Sequence, residues 1–102
     1  MKKLHGQAFH RALRKHLSGD ASSIAWNAIN LTTQEQWGRF IDAVNAETGT
    51  LEERCHKVVI FGESALNLLA IGLRMLTPQE FAILERHCWY DDETEGKEYA
   101  VS

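Results

Sequence analysis

The feature that most constrains this chain is an apolar run over residues 58–76, VVIFGESALNLLAIGLRML. Apolar residues in this run, together with two residues upstream of it, recur every three or four positions, which is the spacing of one helix face. This first stripe consists of Leu51, Cys55, Val58, Gly62, Leu66, Leu69, Leu73 and Leu76. A second stripe follows the neighbouring face: Phe61, Ala65, Leu68, Ile71 and Met75. A helix that is apolar on most of its circumference must be buried in a core or against a partner. We therefore predict a long central helix at about 51–76, with the other segments packed around it.

Residues 57–61 leave an alternative open within this run. The sequence KVVIF is β-branched and aromatic, so it could form a short strand that ends at Gly62. Against a strand, the helical spacing continues across the stretch, and a lone strand has no evident pairing partner. We favour a helix with a bend near Gly62. The run also contains Glu63 and Arg74, whose charges would be costly at mid-bilayer depth, so we predict no membrane span.

Helix-start signals divide the rest of the chain into further helices. Three capping boxes, each a Thr followed by a Glu three residues later, predict helix starts: Thr32 and Glu35, Thr50 and Glu53, and Thr77 and Glu80. Segments 3–17 and 21–30 supply two more helices, the first of them amphipathic and basic. The predicted fold class is all-α, with about five helices. Residues 1–90 are expected to form a single domain, and residues 91–102 an acidic flexible tail.

Charge is distributed unevenly along the chain. Residues 1–19 contain five Lys and Arg and no acid, whereas the remainder contains six basic and 14 acidic residues; +5 and −8 give the net charge of −3. The basic start lies on the first predicted helix, whose polar side could contact a partner. The candidate partner-binding residues are Lys3, His10, Arg11, Arg14 and Lys15.

The sequence around Ser64 resembles the nucleophile elbow of α/β-hydrolases. Residues 59–65, VIFGESA, match the strand and turn that present the catalytic serine in carboxylesterases and related enzymes. The resemblance implies a sheet of several strands and an acid and a histidine downstream. Leu66 stands where the motif has Gly, and His87 is the one histidine that follows Ser64. A chain of 102 residues is also too short to build the hydrolase sheet, so we predict no enzyme.

The cysteines and histidines do not predict a metal site. Cys55-His56 and His87-Cys88 are adjacent pairs, and neighbours on a helix point about 100° apart, so one pair can hardly chelate one ion. Two cysteines also set no disulfide framework. The N-terminal residues lack the apolar segment of a signal peptide. We therefore expect a cytoplasmic protein with free thiols and without metal or cofactor.

These observations favour a binding protein. We predict a small protein–protein interaction module of the kind that phages and mobile elements use as inhibitors or antirepressors, with a protein partner of unknown identity. The alternative is a nucleic-acid-binding transcriptional regulator that uses the basic N-terminal helix; the segment LTPQE resembles helix openings in bacterial helix-turn-helix regulators. A homodimer is expected, because the central segment offers apolar residues on at least two faces.

Overall fold

Helices dominate the computed structural model, which describes residues 2–91. In chain order the elements are β1 (Lys2–Leu4), α1 (Gly6–His16), α2 (Ser23–Leu31), α3 (Gln34–Ala46), α4 (Leu51–Lys57), α5 (Ser64–Arg74), α6 (Pro78–Cys88) and β2 (Trp89–Asp91). The all-α class is confirmed, with six helices in this part of the chain where about five were predicted. None of the described helices has the length and apolarity needed to cross a membrane.

The predicted central helix over 51–76 is two helices. α4 ends at Lys57 and α5 begins at Ser64, so the favoured helical interpretation of residues 57–61 is wrong beyond Lys57. The intervening residues are extended and then turn at Gly62, whose φ of +77° lies in the left-handed region that favours glycine. The alternative strand is not formed either, since residues 58–60 join no sheet in the described chain. The β-branched residues preceding Gly62 disfavour helix and suit this extended backbone.

Both helices nevertheless bury the first apolar stripe. Leu51 and Cys55 on α4 and Leu66, Leu69 and Leu73 on α5 are fully buried in one core. The other helices add buried side chains to the same core: Phe9 and Leu13 from α1, Ile29 from α2, Phe40 and Val44 from α3, and Phe81 and Leu84 from α6. The second stripe behaves differently, because Leu68, Ile71 and Met75 remain exposed.

Two of the three predicted capping boxes are present as expected, at Thr50 and at Thr77. The third begins one residue later than predicted, with Thr33 as the cap and Gln36 closing the box. Thr32 is used instead to end α2, where its hydroxyl donates to the Ala28 carbonyl. Polar side chains of the same type can satisfy either helix end, which explains the shift by one position.

The two ends of the described chain meet in a short antiparallel ribbon. Leu4 pairs with Trp89, and Asp91 pairs with Lys2. Asn45 on α3 holds β1 in place, because its amide accepts from the Leu4 N–H at 2.7 Å and donates to the Leu4 carbonyl at 3.0 Å. Asp91, predicted to begin the tail, is therefore the last residue of β2; residues 92–102 lie outside the described residues.

Candidate functional site

The polar side of α1 carries most of the predicted partner-binding residues. α1 starts at Gly6, where the His5 ring accepts from the Ala8 N–H, and its inner face buries Phe9, Ala12 and Leu13. Because side chains three and four residues apart share a face, the opposite side displays Arg11, Arg14 and Lys15 to solvent. The helix thus presents a ridge of cations, and a groove lies on each side of this ridge.

The larger groove lies between α1, the end of α2 and the start of α3, and we call it the α1–α3 groove. It encloses about 350 Å³ and is lined by Gln7, His10, Arg11, Arg14, Ile29, Asn30, Thr32, Thr33, Gln34 and Trp37. None of these lining residues is acidic, whereas Arg11 and Arg14 are both permanently cationic. The groove is therefore a cationic site that suits a carboxylate or a phosphate.

Arg14 is held in position from two sides. Its Nη2 donates to the Asn30 side-chain oxygen at 2.9 Å, and its guanidinium carbon lies 6.0 Å from the centre of the Trp26 ring. A guanidinium has five N–H donors in a rigid fork, so one bond to Asn30 leaves donors that can bind a planar anion. Prior fixation of the side chain lowers the entropy that a ligand must remove on binding.

Aromatic rings form the floor of the groove. The Trp37 ring stacks with Phe9 and with Phe40, at centroid distances of 5.8 and 5.6 Å, and its Nε1 donates to the Gly6 carbonyl at 2.9 Å. His10 meets Trp37 edge-on at 5.2 Å. Burial, and then the Arg14 guanidinium, lower the pKa of His10, so its imidazole is mostly neutral at pH 7. His10 can therefore offer a neutral hydrogen-bonding nitrogen beside the two arginines.

Helix ends add little net charge to this groove. The start of α3, at Thr33 and Gln34, brings the positive end of a helix dipole, while Asn30 and Thr32 bring the negative end of α2. Each end is equivalent to roughly half a charge, so the two largely cancel. The cationic character of the groove therefore comes from the side chains of Arg11 and Arg14.

A second, smaller groove lies on the other side of α1, and we call it the α1–α6 groove. It encloses about 230 Å³ and is lined by Ala8, Arg11, Ala12, Lys15, His16 and His87. The rings of His16 and His87 stack nearly parallel, with centroids 5.1 Å apart. Burial first, and then His87 and Lys15, lower the pKa of His16. Arg11 borders both grooves and so stands on the ridge between them.

The structure groups four of the five predicted binding residues. His10, Arg11 and Arg14 line the α1–α3 groove, and Lys15 joins Arg11 along the α1–α6 groove. Lys3 lies apart from them, in β1, where it pairs with residue 90. Sequence reasoning missed the lining residues that α2 and α3 contribute, Asn30, Thr33 and Trp37, because nothing in a single sequence indicates which helices will be neighbours.

Residues 59–65 resemble a nucleophile elbow in their local geometry and in nothing beyond it. Gly62 turns the chain and Ser64 opens α5, as the serine of an elbow opens its helix. The preceding residues join no sheet in the described chain, and the ring of His87 stacks on His16 instead. Glu63 binds Arg39 at 2.6 Å. The elements that make the hydrolase motif catalytic are therefore not assembled around Ser64 in the described part of the chain.

Within residues 2–91, no three His, Cys, Asp or Glu side chains are grouped so that they could hold a metal ion. Cys55 and Cys88 are both buried free thiols. Burial is the main reason why the pKa of each thiol rises to about 12. A comparison of the chain with protein-family models, curated proteins and solved structures found no match.

Proposed function

We propose that this protein is a protein–protein interaction module whose α1–α3 groove binds an acidic segment of a partner protein. The observation that carries the proposal is the convergence of Arg11 and Arg14 on a groove with an aromatic floor and no acidic lining residue. Arg and Trp are the residue types that contribute most to protein interfaces. A volume of about 350 Å³ accommodates a few side chains of an extended peptide.

Charge distribution favours a protein segment over nucleic acid. A duplex contacts a protein over a broad cationic surface and binds by neutralising many phosphates. Here residues 1–19 carry five Lys and Arg and no acid, whereas the chain after residue 19 carries six basic and 14 acidic residues. That acidic remainder would repel a long polyanion but has less effect on a short segment bound within the groove.

The proposed mode of action is steric. A module that covers an acidic segment of its partner blocks whatever that segment normally contacts, as an inhibitor or antirepressor does. We propose that it acts in the cytoplasm, where free thiols such as Cys55 and Cys88 stay reduced. We also propose that it acts as a homodimer, through a surface separate from the groove.

The proposal is tested with a fluorescein-labelled hexapeptide that alternates aspartate with leucine, followed by fluorescence anisotropy. Replacing Arg14 by alanine should weaken binding about tenfold, because it removes a charge-assisted hydrogen-bond donor. The matched control is Arg86→Ala, which removes an arginine that is also exposed and lines neither groove. The control variant should bind like wild type.

Two results would overturn the proposal. If Arg86→Ala weakens peptide binding as much as Arg14→Ala, the attraction is general charge and not the groove. If a 20-base-pair duplex binds more tightly than the peptide and with the same dependence on Arg14, the nucleic-acid regulator becomes the better assignment. In that case the logarithm of affinity should fall linearly with the logarithm of salt concentration.

A further inference from the structure

One face of α5 is apolar and exposed. Leu68 is 49% exposed, Ile71 47% and Met75 58%, and the three lie on one side of the helix at spacings of three and four residues. Phe61, which is 88% exposed, lies in the turn that precedes the helix. We call these four residues the α5 stripe.

The stripe is not a poorly covered part of the core. The opposite face of α5 is fully buried at Leu66, Leu69 and Leu73, so the helix already contributes a complete face to the monomer. On a third side, α2 packs so closely that a Cβ on Gly72 would lie 2.4 Å from the Ala25 backbone nitrogen. The α5 stripe is therefore a second apolar surface on a helix that is anchored on its other sides.

The exposed area suits the centre of a dimer interface. At ~150–200 Å² for a large side chain, the exposed fractions of these four residues sum to roughly 360–480 Å² per protomer. That is as large as the largest apolar patch of a typical monomer, and such patches commonly mark interaction sites. A standard interface covers about 800 Å² on each partner, of which the polar rim is a large part. Ser64, Asn67 and Arg74, which are exposed on the same side of α5, can supply that rim.

The arrangement of the stripe is compatible with twofold symmetry. Leu68 and Ile71 lie at equal distances on either side of the midpoint between residues 69 and 70. When two α5 helices pair antiparallel about that midpoint, Leu68 of each protomer faces Ile71 of the other. The same pairing sets the small Ser64 opposite the long Met75, so large and small side chains alternate. Such self-complementary contacts are what an isologous interface requires.

Charges at the two ends of α5 favour the antiparallel direction. Glu63 and Arg74 are 11 residues apart, about three helical turns, so they lie along the same edge of the stripe. Arg39 binds Glu63 at 2.6 Å and Glu35 at 2.8 Å, which makes a cluster with a net charge of −1 at the start of α5. Antiparallel pairing sets this cluster opposite the Arg74 end of the other copy. Parallel pairing would set two like clusters side by side.

We propose that the α5 stripe is the interface with a second copy of this chain, and that the two α5 helices pair antiparallel about a twofold axis. The inference rests on the homodimer proposed above and specifies its interface. It is independent of the α1–α3 groove, so the two proposals can fail separately.

The first test measures mass by light scattering during size exclusion at 1–100 µM. Wild type should have twice the chain mass of 11.6 kDa. Leu68→Glu and Ile71→Glu should each raise the dissociation constant about a hundredfold, because each dimer then buries two unpaired carboxylates. The matched control is Leu31→Glu, at a leucine that is 72% exposed at the end of α2 and outside the stripe; it should remain dimeric.

The second test fixes the register and does not depend on destabilising variants. Leu68→Cys and Ile71→Cys proteins are mixed under mild oxidation, while the buried Cys55 and Cys88 should stay unreactive. The mixture should form disulfide dimers faster than either variant alone, because Leu68 faces the other copy's Ile71. Circular dichroism checks that all variants keep the helical content of wild type.

The proposal would be overturned by a mass of one chain throughout the concentration range, by a dimer unaffected by either glutamate, or by cross-linking that is fastest for one variant alone. A mass that rises without limit would indicate open association in place of a closed dimer. Binding of wild type to phosphatidylcholine vesicles that Leu68→Glu abolishes, with a monomeric mass, would assign the stripe to lipid. Arg14→Ala should leave the dimer intact, which separates this test from that of the groove.

Discussion

A single alanine at Gly72 should destabilise the protein although alanine is the better helix former. Gly72 lies within α5 where α2 crosses it, and the Ser22 hydroxyl donates to the Gly72 carbonyl at 3.3 Å. A Cβ added there would lie 2.4 Å from the nitrogen and 2.5 Å from the Cα of Ala25. Non-bonded heavy atoms are ordinarily about 3.5–4.0 Å apart. Both contacts are backbone atoms, so α2 itself must move outward by about 1 Å.

The magnitude follows from two opposing terms. Overpacking a core contact costs about 1–3 kcal/mol, and the upper end applies because no side chain can rotate away. Replacing glycine by alanine inside a helix returns about 1 kcal/mol. The Gly72→Ala variant should therefore lose about 1–2 kcal/mol of the free energy of unfolding. For a domain of this size that lowers Tm by roughly 4–15 °C.

Gly38 provides the matched control, because it also lies inside a helix, α3, and is exposed. Apart from its chain neighbours and the nearby backbone of its own helix, no atom of the described residues lies within 4 Å of the position its Cβ would take. Gly38→Ala should therefore stabilise the protein by about 0.5–1 kcal/mol. Urea unfolding followed by tryptophan fluorescence and circular dichroism measures both variants. If Gly72→Ala is as stable as wild type or more so, the close approach of α2 and α5 is wrong.

Three further outcomes test the core and the α1–α6 groove. Leu69→Asp should leave the chain largely unfolded at 25 °C by circular dichroism, because an unpaired carboxylate in the core costs several kcal/mol against a total stability of about 5–15 kcal/mol. Cys55 and Cys88, each with a pKa of about 12, should react with Ellman's reagent at the rate of unfolding, and rapid labelling of the native protein would contradict their burial. Burial and the stacked His87 lower the pKa of His16 below 6.5, so the unfolded chain binds more protons there. The contribution of neutral His16 to the free energy of unfolding should be fully present above pH 6.5 and be lost as the pH falls through the lowered pKa. In urea titrations, His16→Gln should reduce this loss of stability at low pH.

Local interactions were the most predictable part of this fold. The capping boxes at Thr50 and Thr77 depend on residues three apart, and the Pro at position 78 fits the first helical turn whatever packs against it. The start of α3 was displaced by one residue because Thr32 and Thr33 are chemically equivalent caps. Which one ends α2 and which begins α3 depends on the tertiary positions of both helices.

The break at residues 58–63 shows where periodicity misleads. The apparent continuity of the first stripe from Val58 to Leu66 depended on counting Gly62, which has no side chain to bury. The run of β-branched residues beside it was the physically informative signal, because it disfavours helix for reasons within each residue. The positive φ of Gly62 then provides the turn that separates α4 from α5.

The sequence predicted the α1 side of the candidate groove but not its other side. Amphipathicity alone placed Arg11 and Arg14 together on the outer side of α1, as the structure shows. The lining residues from α2 and α3 could not be inferred, because Trp37 has the pattern of an ordinary core residue and Asn30 that of a helix end. Both become groove residues only through the packing of α1 against α2 and α3. Long-range neighbours of this kind are not encoded in the spacing of any one segment.

A central helix without a break would be longer than the domain as it is folded. A continuous helix over residues 51–76 would be ~39 Å long at ~1.5 Å per residue, whereas the longest extent of the molecule is 34 Å. Two shorter helices can both bury the first stripe, and α5 then keeps its second stripe on the surface.

The exposure of the second stripe can be tested at two adjacent residues of α5. Leu69 is fully buried and Leu68 is 49% exposed, so their side chains report on different states of the protein. A carboxylate at position 69 should unfold the monomer, because it enters the core. A carboxylate at position 68 stays in water in the monomer and is buried only in the dimer, so Leu68→Glu should dissociate the dimer and retain the helical circular dichroism signal. If both substitutions unfold the protein, α5 is buried on both faces and its second stripe belongs to the core.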